Sequence, residues 1–402
     1  MPAPRIFAPL AHRDFRLLWV GQTVSIFGDH VHNVALPFQI IALGGGAVEL
    51  GIWGAVHAAT SLVFLLFGGA IADRISRRAI ILASDLVSGI VIASIAVLSA
   101  SGGLRMEHVY LEAAFFGASQ SFFQPAVNAL IPELVPVEVL QSGNSLRGLS
   151  RQIGLLGGPI VGGLLVATAG LPFAFAFDAV TFIVGFGAFA LARPRRREAP
   201  ARLPLLREVR EGLSYTFSVP WLWIFIFAWA IVILGMVGPL NVALPLLVRD
   251  VLHGDARLFG TIVAAVGVGE VVTSVALAQI KIRRLGIAIC VFAVIGGLAL
   301  IGIGVIADVA VVLVCAALFG VQFVGVGVLW TTAVQKHVPR ELMGRVLSID
   351  MFGGSLLLPL APVIFAAIVA ALGPAPAFVI GGTVAIVTAI LLLLVPSIRE
   401  LE

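Results

Sequence analysis

Long unbroken apolar runs dominate this chain and constrain it more than any other feature. They lie at 16–42, 49–72, 79–101, 108–131, 144–168, 171–192, 221–248, 258–280, 285–306, 309–334, 345–371 and 374–396. Each is near the ~20 residues that a helix needs to cross a bilayer. Runs such as Val309–Val314 and Leu391–Val395 are continuous rather than alternating, which excludes a membrane barrel built from ~10-residue alternating strands. Only 11% of the 402 residues are charged and the mean hydropathy is +1.11. That is too little charge to coat a soluble surface, where about 25% is usual. A soluble enzyme, a disordered chain and a nucleic-acid binder are thereby excluded. The expectation is an all-α membrane protein with twelve transmembrane helices and no bound cofactor.

Charge placement orients the spans. With the N-terminus in the cytoplasm, the outer loops hold three of the 25 Lys and Arg residues, namely Arg105, Arg249 and Arg257. This strong inside bias puts both termini in the cytoplasm. The first 15 residues are short and broken by Arg5, His12, Arg13 and Asp14, so no cleaved leader is expected. Residues 193–220 carry Arg193, Arg195, Arg196, Arg197, Arg202, Arg207 and Arg210 with Pro194, Pro200 and Pro204. They read as a solvated basic cytoplasmic linker between a bundle of six spans at 1–192 and another at 221–402.

The halves resemble one another. Ala35-Leu36-Pro37 recurs as Ala243-Leu244-Pro245, Glu49-Leu50-Gly51 loosely as Arg257-Leu258-Phe259-Gly260, and Pro132-Glu133-Leu134 as Pro339-Arg340-Glu341-Leu342. The matches keep their order and nearly one spacing. Parallel repeats of this kind place a transport site near mid-membrane. Cys290 and Cys315 both sit in apolar runs and read as small core residues rather than a disulfide.

Between spans 2 and 3 stands Gly69-Ala70-Ile71-Ala72-Asp73-Arg74-Ile75-Ser76-Arg77-Arg78. It resembles the G-x-x-x-D-R-x-x-R-[RK] signature of the major facilitator superfamily, with every defining position filled. The resemblance implies a cytoplasmic latch. Gly69 permits close helix approach, Asp73 favours a helix N-terminus, and Arg74, Arg77 and Arg78 reach carboxylates or helix C-termini. It also implies that span 11 is the facing helix, with Asp350 as a partner; Asp85, near the cytoplasmic end of span 3, is a second.

In span 5, Gly154-Leu155-Leu156-Gly157-Gly158-Pro159-Ile160-Val161-Gly162-Gly163 resembles the G-x-x-x-G-P-x-x-G-G motif of drug/proton antiporters in that superfamily. Glycines four apart let helices touch backbone to backbone. The resemblance implies packing against span 8, at Gly267 and Gly269. Two further stretches resemble the bacterial group that contains macrolide and enterobactin exporters. One runs from Phe15-Arg16-Leu17-Leu18-Trp19 to Gly28-Asp29; the other runs from Gln124-Pro125-Ala126 through Glu133 to Gly143-Asn144. Many antiporters place an arginine in span 4. This chain has none there and carries Glu112 instead, so an arginine-centred proton relay does not transfer.

A charge at mid-membrane is costly and usually functional. Asp29 in span 1 and Glu270 in span 8 are at that depth without a Lys or Arg at similar depth, and are the candidate proton carriers. His32 and Asn33 follow Asp29 on the same helix face. Glu112 and Asp178 lie toward the outer leaflet as gate or cavity residues. Phe115, Phe116, Phe122, Phe123 and Gln124 with Trp223 and Trp229 are candidates to line an apolar substrate cavity. His30 and His57 read as packed histidines. No cluster has metal-ligand spacing, and no phosphate-binding loop is present, so ATP is not expected to drive the protein.

Together these features point to a monomeric secondary transporter in a bacterial inner membrane. It would export a drug-like amphipathic small molecule in exchange for protons, with no nucleic-acid partner. A siderophore or lysolipid carrier of the same fold, and a transporter-like receptor or scaffold, are the alternatives.

Overall fold

The computed structural model describes residues 5–72, 76–192 and 205–402. After a short 3-10 turn at Arg5–Ala11, the helices are α1 (Arg13–Ala42), α2 (Ala47–Ala72), α3 (Arg77–Ala100), α4 (Met106–Leu134), α5 (Val137–Ala169) and α6 (Leu171–Ala190). There follow α7 (Leu205–Ser218), α8 (Pro220–Gly238), α9 (Leu244–Asp250), α10 (Ala256–Leu277), α11 (Leu285–Val305), α12 (Val309–His337), α13 (Met343–Ser355), α14 (Leu360–Leu372), α15 (Pro374–Leu393) and α16 (Pro396–Arg399). A π-helical turn at Pro239–Ala243 joins α8 to α9. The described residues are all-helical, as a chain in lipid requires, because helices satisfy their own backbone hydrogen bonds.

Ten of these segments are long and apolar enough to cross a membrane, with α8–α9 and α13–α14 each counted as one. The helices α1 and α4 are as long, at 30 and 29 residues, but they carry the polar side chains described below. Val97, Phe173, Ile183, Leu298, Val314 and Leu394 are more than half exposed, an apolar exterior that suits lipid rather than water.

The chain divides into two compact units. One comprises the chain to Glu198 with Gly254–Ala264, the other Ala199–His253 with Ala265–Glu402. In the first, α1 packs on α5 and α6, α2 on α4, and α3 on both α4 and α6. Phe15, Ile81, Leu130, Ile131 and Phe189 fill its core. In the second, α8 packs on α14 and α15, and α11 on α12 and α15. Phe225 stacks on Trp330 at 3.8 Å between ring centres. The two packing patterns are the same scheme repeated. Glycines at positive φ, Gly170 (90°) and Gly373 (86°), make corresponding turns into α6 and α15, a conformation that L side chains rarely adopt.

Residues 205–218 differ from the solvated linker expected at 193–220. They form α7, which docks on α13 through Gly212, packed near Ile349 and Arg345, and through a 2.6 Å bond from Arg345 to Glu211. Residues 193–204 lie outside the described residues.

Candidate functional site

The polar residues of α1 repeat at helical spacing. Gln22, Ser25, Asp29 and His32 share one face, and α3, α4 and α6 pack around that face. Gln22, Ser25 and His32 are buried. Opposite them α6 places Asp178 and Thr181. Their approach depends on Gly28: a Cβ there would lie 3.0 Å from Thr181 Cβ and still closer to Thr181 Oγ1 and Asp178 Oδ1.

His32 is completely buried and stands between two carboxylates. Its Nε2 lies 3.3 Å from Glu112 Oε1 on α4, and its Nδ1 lies 3.7 Å from Asp178 Oδ2 on α6. Phe116 stacks on the imidazole and Phe175 meets it edge-on. From α2, the indole of Trp53 donates to Glu112 Oε2 at 2.9 Å and stacks on His57. Thr181 donates its hydroxyl to the Asp178 backbone carbonyl at 2.7 Å, with Asp178 Oδ1 3.2 Å away. Among the described residues both His32 nitrogens, Glu112 Oε1 and Asp178 Oδ2 make no aligned hydrogen bond. No Lys or Arg among them pairs with these acids.

One turn toward the N-terminus of α1, Asp29 opens onto a polar recess. Gln22, Ser25, Asp85, Ser88 and Gln120 contribute to its walls, with Phe123 and Gln124 at its edge. Gln120 donates to Asp29 Oδ2 at 3.4 Å, while Oδ1 is buried without a hydrogen-bond partner among the described residues. Ser88, Ser119 and the Ser84 carbonyl form a hydrogen-bonded chain across the same space. Sequence reasoning put Asp85 with the latch arginines; it is instead buried on α3 in this recess.

Two of the latch arginines reach a carboxylate and a helix C-terminus, the kinds of partner expected of them. Asp73 and Arg74 lie outside the described residues, and Gly69 is in the last turns of α2. Arg77 pairs with Glu133 and donates to the Ala129 carbonyl at 2.9 Å, both on α4. Arg78 donates to the Ala190 carbonyl at the end of α6 at 2.7 Å. These ties stay within the first unit. Asp350 accepts from Trp330 on α12 at 3.0 Å, inside the second.

The glycine strip of α5 packs along α1, and its far end also meets the start of span 8. A Cβ at Gly154 would lie 2.7 Å from Ile26, at Gly158 3.1 Å from the Phe27 carbonyl, and at Gly162 3.0 Å from Val31. Pro159 and Gly163 meet α10 at Gly260 and Ala256, ahead of the expected Gly267 and Gly269. Gly269 and Gly320 bring α10 and α12 together in the second unit, beside the half-buried Glu270. Trp229 stacks on Phe225 there, and Asn33 is exposed on α1. The described residues contain no His, Cys, Asp and Glu group arranged for a metal ion.

Residues 18–362 match the sequence profile of the Major Facilitator Superfamily. The chain belongs to the Major Facilitator Superfamily. Among curated members it is 27% identical to the enterobactin exporter EntS of Shigella boydii serotype 18 and 26% identical to that of Escherichia coli O1:K1, in each case over 214 residues, 52% of this chain. The alignment spans half the length of these curated relatives. Solved transporter structures share its fold at low identity. The nucleoside transporter NupG matches with a TM-score of 0.77 and 9% identity, over 94% of this chain and 99% of that one. A bacterial homologue of the iron transporter ferroportin matches with a TM-score of 0.70 and 17% identity, over 94% and 98%.

Proposed function

We propose that this superfamily member is a secondary active transporter of the bacterial inner membrane that exports an amphipathic small molecule in exchange for protons by alternating access. All twelve long helical segments, α1 and α4 included, would span the bilayer, with both termini cytoplasmic and the monomer as the working unit. The carrying observation is Asp29, a carboxylate on a membrane-length helix with a buried, unpartnered oxygen facing a polar recess. Protonation removes the cost of its charge. A proton that binds the two facing states unequally shifts the balance between them, as coupling requires.

The test is Asp29→Asn in reconstituted vesicles. The variant should bind substrate, read as a thermal shift, but lose uphill export driven by a pH gradient. Normal pH-driven accumulation by the variant would remove Asp29 from coupling.

The exporter relatives favour a narrower second reading, in which the substrate is a siderophore-like chelator. A thermal-shift screen of the purified protein against drugs, siderophores and lysolipids at two pH values separates these substrate classes. Absence of flux for every ligand that binds would instead favour a receptor.

A further inference from the structure

His32, Glu112 and Asp178 come from three different helices and meet with their polar atoms turned on one another. The side chains of all three are at most 1% exposed. Four of their polar atoms lack an aligned partner among the described residues, so the group is built around something that heavy-atom contacts do not supply. The two ring nitrogens point to different carboxylates, one on each side. That is the arrangement of an imidazole that accepts a proton at one nitrogen and releases one from the other.

We propose that His32, Glu112 and Asp178 form a proton-binding relay inside the first unit, distinct from the Asp29 recess. The transfer balances. Protonated Asp178 gives its proton to Nδ1, Nε2 gives its own to Glu112, and the ring is left neutral in the other tautomer. One proton has then moved from α6 to α4. Trp53 fixes the receiving carboxyl by donating to its other oxygen, and the Thr181 hydroxyl lies 3.2 Å from Asp178 Oδ1. Gly28 supplies the room that lets Asp178 reach α1.

The titratable groups against His32 are Glu112 on α4 and Asp178 on α6, with Asp29 one turn away on its own helix; His57 on α2 packs on Phe116, and Asp85 on α3 lines the Asp29 recess. The other packing helix, α5, meets the opposite side of α1 at Ile26, Phe27 and His30, and carries Arg151 there. No cation therefore competes with the proton for these carboxylates among the described residues. The relay's use in transport rests on the proton-coupled reading above; its existence does not.

Infrared difference spectra of the purified protein between acid and alkaline samples test it without substrate or gradient. A carboxylic-acid C=O band is expected. Glu112→Gln should delete one component, Asp178→Asn another, and Trp53→Phe should shift the Glu112 component because it removes that carboxyl's indole donor. Trp53→Phe keeps every titrating group, so it stands in if a carboxamide variant fails to fold. Spectra unchanged by Glu112→Gln and Asp178→Asn, or no shift in Trp53→Phe, would overturn the site. In vesicles, His32→Gln should keep substrate binding and lose pH-driven export; export with wild-type pH dependence would overturn the relay. If export by the wild-type protein ignores the gradient, the proton-coupled reading falls and the infrared titration alone decides the site.

Discussion

Gly28→Ala adds one methyl group at a tight polar contact of the first unit. The new Cβ would lie 3.0 Å from Thr181 Cβ and well inside contact distance of Thr181 Oγ1 and Asp178 Oδ1. None of these atoms is free to retreat, since Asp178 and Thr181 are buried on α6. Overpacking costs about 1–3 kcal/mol, and the position belongs at the upper end. Alanine returns up to about 1 kcal/mol of helix propensity, leaving a net loss of about 2 kcal/mol. Gly187→Ala is the control on α6, because a Cβ there meets nothing within 4 Å. That variant should be neutral or gain up to about 1 kcal/mol. The two should therefore differ by about 2–3 kcal/mol, which at 2–4 °C per kcal/mol for a unit of roughly this size is on the order of 4–12 °C in melting temperature. Thermal melts in detergent read the difference directly. The same substitution should move Asp178 away from His32 and shift the infrared band assigned to Asp178. Equal melting of the two variants would refute the close approach of α1 and α6 at Gly28.

Three further substitutions probe the remaining contacts. Gly158→Leu drives a side chain into His30 and the Phe27 carbonyl, so an inserted protein with lost transport and a wider α1–α5 spin-label distance is expected; an unchanged distance with normal transport would make the strip incidental. Arg77→Ala and Glu133→Gln, combined in a double-mutant cycle, should show a coupling of at most about 1 kcal/mol because the arginine is partly solvated; a coupling of several kcal/mol would mark the pair as a structural lock. Arg345→Ala should release α7 from α13 and speed hydrogen exchange at 205–218; unchanged protection would mean that packing at Gly212 holds the helix alone.

The membrane segments were legible because lipid demands continuous apolar runs, and such runs are visible one residue at a time. Asp29 and His32 were legible for the converse reason: each interrupts a run where interruption is costly. Their partners were not. Glu112 and Asp178 reach His32 only through the packing of α4 and α6 on α1, and chain periodicity carries no information about which helices touch. Gly28 was a local signal for that contact. It stands among polar residues on a packed face, where a missing side chain invites a neighbour's. Arg77 pairs with Glu133, an acid of the adjacent helix that the signature itself does not name. The helix α7 was hidden by the arginines and prolines around it, which read as a solvated linker.

The two long helices that fall short of the apolarity for crossing are α1 and α4, and the shortfall has a structural cause. Between them they contribute Gln22, Asp29, His32, Glu112, Ser119 and Gln120 to the site. Each such residue weakens the case for a span when hydropathy alone is summed. Inside the unit most of these side chains are buried against α2, α3 and α6 rather than exposed to lipid, so their cost is set by how well they partner one another. That partnering is incomplete at His32, Glu112, Asp178 and Asp29. A helix kept only for crossing would gain from replacing these residues with leucine. On these two helices Asp29, His32 and Glu112 each keep at least one buried atom without an aligned hydrogen bond among the described residues, and under the proposed proton-coupled reading a bound proton would supply what the packing leaves unmet.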